Sequence, residues 1–151
     1  MSREIKFRVW YPVEWDESGY KPTHFKMTHD WAFEEWLPIN DLLKNGLPDG
    51  SSIMQYTGRR TVQGKEIYEG DIVFVEESNN YGDKRYYLVI VWIPEWTMFA
   101  SLHLDEYKKF LEQGTDSLDE FMFWTYTLQD SEKSFHYAGN IYENPQLLNK
   151  E

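Results

Sequence analysis

His24, His29 and Asp30 form the histidine–carboxylate grouping that a bound metal or a hydrolytic base would need. Histidines five positions apart share neither a helix face nor a strand face, because those periods align i with i+4 or with i+2. No nucleophile elbow or metal-ligand motif frames the many serines, threonines and carboxylates elsewhere. The chain contains no cysteine, which removes thiolate zinc sites, a cysteine nucleophile and disulfides together. His103 and His136 stand alone in apolar surroundings, where a hydrogen-bonded structural histidine is expected. These residues predict a protein without a catalytic site, metal or cofactor.

A second grouping suits phosphate rather than metal. Arg59, Arg60 and Lys65, flanked by Tyr56 and Tyr68, combine cations for a nucleic-acid backbone with rings that stack on bases. Against it stand the nearby Glu66, Glu69 and Asp71 and a net charge of −11, which repels polyanions. Solvated hairpin charges are the better expectation, and nucleic acid is a disfavoured partner. Conversely, Asp105, Glu106, Glu112, Asp116, Asp119 and Glu120 could imitate DNA toward a DNA-binding protein. They form no continuous like-charged block, so solvation of helix faces accounts for them as well.

The aromatic residues point elsewhere. A core of this size cannot bury Trp10, Trp15, Trp31, Trp36, Trp92, Trp96 and Trp124 alongside 11 Tyr and 9 Phe. Rings left outside favour protein contacts, so the expected partner is a second copy of the chain or an unidentified protein.

The elements that must carry these residues fit one domain over the 151 positions. Period-2 alternation predicts a strand at 4–11, and turn formers at Asp16–Gly19 lead to a second alternating stretch at 24–28, together a hairpin. Residues 30–50, broken by Pro38, Gly46, Pro48 and Gly50, read as loop. A strand at 53–56, a basic turn at 58–64 and a β-rich run at 71–75 follow, with Gly70 and Asp71 as a strand-entry pair. A polar turn at 78–83 separates that run from the apolar stretch 86–92. Leu104, Tyr107, Phe110 and Leu111 lie on one helix face, predicting a helix over 104–113 closed by Gly114. Ser117 and Glu120 suggest a second short helix from 118. Residues 135–141 read as a strand, with a Gly-Asn turn and a Pro-opened turn through Leu148. The fold class expected is α+β: a β-rich, partly open SH3-like barrel at 4–93 and 135–141, with one or two helices inserted at about 103–124. The start of the chain lacks a signal-like apolar run, and no stretch is long and apolar enough to span a membrane, so a cytoplasmic location is expected.

Three blocks carry a family likeness: Ile5–Trp10; Met54–Gly58 running into Gly64–Val73, with Tyr68, Glu69, Gly70 and Asp71; and Gly139–Pro145, with Asn140, Tyr142, Asn144 and Pro145. By these blocks, in this order and spacing, the chain resembles the YopX-like family of phage and prophage proteins. Residues 76–134 match no motif of that family. The resemblance implies a phage or prophage accessory protein without an established reaction, and it marks the glycines, Asn and Pro of the blocks as structural.

Overall fold

The computed structural model describes residues 5–29, 50–119, 125–128 and 134–149. Two compact units, Met1–Tyr56 and Thr57–Glu151, make up the chain. The fold class is α+β and strand-rich, with a curled, partly open barrel sheet and one α-helix among the described residues.

In the first unit, β1 (Phe7–Trp15) pairs antiparallel with β2 (Pro22–His29), and its residues Phe7–Trp10 pair with the leading half of β3 (Ser52–Arg60). Strand β1 runs four residues beyond the expected stop, carrying Pro12 opposite Phe25. The reason is positional. At Pro12 the partner on the β3 side has ended, so a missing N–H removes no ladder bond there, and register shifts on either side of Glu14 absorb the distortion. The hairpin turn is organised by the Asp16 carboxylate, which accepts the Ser18 and Lys21 N–H groups and the Ser18 hydroxyl. The hydroxyl contact is the main reason its pKa lies below the ordinary carboxylate value. The predicted loop at 30–50 falls almost wholly outside the described residues.

In the second unit, the end of β3 pairs with β4 (Glu66–Tyr68), and the antiparallel sheet runs β7-β6-β5-β8. Its strands are β5 (Asp71–Asn79), β6 (Gly82–Ile93), β7 (Met98–His103) and β8 (His136–Asn140). The strands exceed the expected boundaries because the β5–β6 register continues to Asn79 opposite Gly82, which shrinks the polar 78–83 turn to its tip. Likewise β3 continues through Arg60, so the basic turn begins at Thr61 rather than at Gly58. Helix α1 spans Leu104–Gln113 as its spacing predicts, and the Gly114 N–H closes it on the Phe110 carbonyl. Where a second helix was expected, Leu118 is extended and Asp119 is not helical, while residues 120–124 lie outside the described set.

Alternation along β5 and β6 sorts the core into two faces. Ile72, Val89, Val91, Leu102 and the α1 residues Leu104 and Tyr107 form one cluster, completed by Leu147 and Leu148 from the 3-10 turn Pro145–Asn149. Ile67, Val73, Leu88, Ile90, Leu128 and Phe135 form the other. Burial of the Tyr107 hydroxyl, reinforced by Tyr142 beside it, raises its pKa above the usual phenol value.

Candidate functional site

The β3–β4 turn places the basic residues. Gly64 and Lys65 close back on Thr61 through Gly64 N–H to Thr61 O at 2.9 Å and Thr61 N–H to Lys65 O at 2.8 Å. The turn is then fastened to the start of β8 by Val62 N–H to Phe135 O at 2.9 Å. Each cation has a partner within the chain. The Arg59 guanidinium donates to the Leu128 carbonyl and lies 5.3 Å from the Phe135 ring centre. Arg60 donates to Gly64 O at 3.0 Å and reaches Glu66 at 3.8 Å, and Lys65 Nζ stands 4.0 Å above the Tyr137 ring. Tyr56 and Tyr68 are buried in their respective units, so neither ring offers a face to a base. The grouping therefore reads as an intramolecular clasp. Arg59→Ala is expected to lower stability by about 1–2 kcal/mol through loss of the carbonyl bond and ring contact. Urea denaturation checks the loss, and no change in midpoint would count against the clasp.

The long motif blocks meet at a second point. Asp71 and Asn140, both buried, face each other in the β5–β8 register. Asp71 Oδ2 accepts the Tyr68 N–H at 2.8 Å, and Gly70, at φ 87°, turns the chain so that its N–H reaches Ile90 O and its carbonyl receives the Ile141 N–H. That left-handed backbone favours glycine. Asn140 Oδ1 accepts the Tyr142 and Glu143 N–H groups at 3.0 and 2.8 Å, while its amide donates to Glu143 Oε1 at 2.8 Å. Asn144 closes the turn from the other side, its N–H bonding to Asn140 O at 2.9 Å and its Oδ1 accepting the Asn140 N–H at 3.2 Å. Gly139 and Asn140 thus end β8 rather than form the turn, which follows them. Every polar contact named here is made within the chain, and the arrangement locks the C-terminal segment to the Gly70–Asp71 corner.

The remaining sequence candidates are dispersed. Exposed His24 pairs with Glu14 at 3.0 Å, whereas the His29 side chain and Asp30 lie outside the described residues. Among the described residues, no group of three or more histidines and carboxylates is placed to hold a metal. His136 stacks on Phe74 at 4.9 Å and contacts Gln63 at 3.2 Å. Asp105, Glu106 and Glu112 share α1 with Lys108 and Lys109, which breaks up any uniform acidic face.

A groove that no motif announced lies on the second face of the sheet. It has a volume of about 560 Å³, with Leu88, Ser101 and Tyr126 at its buried base and Glu77, Tyr86, His103 and Glu106 around them. The Ser101 N–H donates to Tyr126 O at 2.7 Å, fixing the 125–128 segment beside β7. Glu106 Oε1 accepts the His103 N–H at 2.8 Å at the start of α1, and the Tyr126 hydroxyl accepts the Asp119 N–H at 3.4 Å. Burial first, then the negative charge of Glu106, push the Tyr126 phenol above its ordinary pKa, although the Asp119 N–H bonded to it acts in the opposite sense. The His103 ring meets Tyr86 edge-on at 5.8 Å. Strands β5, β6 and β7, helix α1 and the 125–128 segment all contribute, which is why linear spacing did not reveal the groove.

Of the described tryptophans, Trp10, Trp92 and Trp96 are half-buried, and Trp15 is 45% exposed. Tyr20, at the β1–β2 turn, is 90% exposed.

Comparison with known proteins places this geometry in a family without supplying a reaction. No curated protein matches the chain. Among solved structures, protein EF1440 from Enterococcus faecalis is similar over 97% of this chain and 99% of that one, at 21% identity and a TM-score of 0.43. The family model described as YopX protein matches residues 6–149, nearly the full length. The chain belongs to the YopX family.

Proposed function

We propose that this protein is a phage- or prophage-encoded accessory factor of the host cytoplasm that works without catalysis, through protein contacts, and associates with itself. The observation that carries the reading is the far end of the β1–β2 hairpin, where Trp15 and Tyr20 stand exposed beside Val13. Large rings left in water retain the apolar area that an interface recovers, at a low cost in side-chain entropy. The family likeness supports an accessory role. Engagement of Arg59, Arg60 and Lys65 by groups of the same chain weighs against a nucleic-acid partner.

Light scattering after size exclusion tests the reading. The protein is expected to run as a dimer or larger at about 100 µM, and Trp15→Ser with Tyr20→Ser to run as a monomer. Loss of two central anchors corresponds to about 2 kcal/mol or more, roughly thirtyfold in Kd. A monomeric parent protein, or an assembly indifferent to both substitutions, overturns it.

A further inference from the structure

We infer that the groove over β5, β6 and β7 receives a basic side chain, arginine or lysine, from an extended segment of a partner protein. At about 560 Å³ it lies within the range of sites that enclose a ligand group. Its base and one wall are apolar or aromatic, through Leu88, Val75 and the ring of Tyr86, which suits the methylene stem of such a side chain. No lysine or arginine is among its described lining residues, although Lys84 Nζ stands 5.0 Å from the Tyr86 ring at its edge, and Glu76, Glu77 and Glu106 give the lining an acidic excess.

Its carboxylates differ in availability. Glu76 is committed to Arg85 at 3.0 Å. Glu77 faces Lys84 across the β5–β6 ladder, yet it makes no ion pair among the described residues and stays exposed. Glu106 is held in place by the His103 N–H, so a carboxylate at the groove is oriented before a ligand arrives. A net charge of −11 draws basic partners toward the surface and repels phosphate backbones. Together these features select a cation on an apolar stem, carried by a protein.

The test titrates the full-length, isotope-labelled chain with a capped Gly-Ser-Arg-Ser-Gly peptide. A second peptide carries citrulline, the neutral isostere, in place of arginine. Amide shifts are expected to centre on Glu77, Ser101 and His103, with affinity about tenfold lower for citrulline and for the Glu77→Gln variant. Glu106→Gln, whose side-chain carbonyl still accepts the His103 N–H, is expected to weaken binding similarly while keeping the parent thermal melt. Glu112→Gln makes the same charge change on the exposed side of α1 and should leave affinity within about twofold. Equal binding of citrulline, equal weakening by Glu112→Gln, or shifts centred elsewhere overturn the inference.

Discussion

Gly139→Ala is expected to cost about 2–3 kcal/mol, a fall of roughly 4–12 °C in Tm, although it adds a single methyl group. That methyl would lie 2.5 Å from Asn144 Oδ1, 2.7 Å from its Cγ and 3.0 Å from its Cβ, closer than van der Waals contact allows. Asn144 cannot simply swing aside, because its Oδ1 holds the Asn140 N–H and its own N–H holds the Asn140 carbonyl. Relief therefore means opening the turn or shifting β8 against β5, where a register irregularity already lies between Ile72 and Val73. Removing the obstructing side chain isolates the cause. In an Asn144→Gly background, the same glycine-to-alanine step is expected to cost less than about 1 kcal/mol, a coupling that urea denaturation of all four proteins measures. Additive costs would show that the close approach is not what selects glycine.

Gly139 also illustrates what the chain reveals before folding. That a glycine ended an aromatic strand was visible, but its reason was not, since the atom it must avoid sits five residues on and reaches it only after the turn closes. Helix α1 was legible to its last residue because its signals are local: an apolar face at helical spacing, and Gly114 to close it. Strand β7 went unread for the opposite reason. Met98–His103 carries small Ala100 and Ser101 buried on opposite faces, which hides any alternation, and its place is fixed by pairing with β6. The basic turn was only partly legible. Spacing brought Arg59, Arg60 and Lys65 together, but Phe135, Tyr137 and the Leu128 carbonyl that engage them come from some seventy residues away. One clue was available: Tyr56 follows Met54 by two residues in a strand, so the two share a buried face. No comparable clue existed for the groove, whose Glu77, Ser101, Glu106 and Tyr126 converge from four segments.

The corresponding test of the lock from its polar side is Asn140→Ala, expected to cost about 2–4 kcal/mol. The side chain is 1% exposed and makes three hydrogen bonds, so truncation strands the Tyr142 and Glu143 N–H groups and frees the Glu143 carboxylate. Asn140→Asp separates the two halves of its role. An aspartate keeps both accepted N–H bonds but loses the donor, and it sets a new carboxylate against Glu143 and opposite Asp71 in the ladder. Burial and both neighbours disfavour its ionised form more than the two accepted N–H bonds favour it, raising its folded pKa above the unfolded value near 3.9. For an acid shifted in that direction, the unfolded chain releases the proton first as pH rises, so the variant loses stability between the two pKa values and recovers it on acidification. Asn140→Asp should therefore be nearly as damaging as Asn140→Ala at pH 7 and closer to the parent protein at about pH 4.5, where the protonated carboxyl again donates toward Glu143. Denaturation of the three proteins at both pH values decides the matter. A penalty for the aspartate that does not shrink in acid would mean that Asn140 serves only through the N–H groups it accepts.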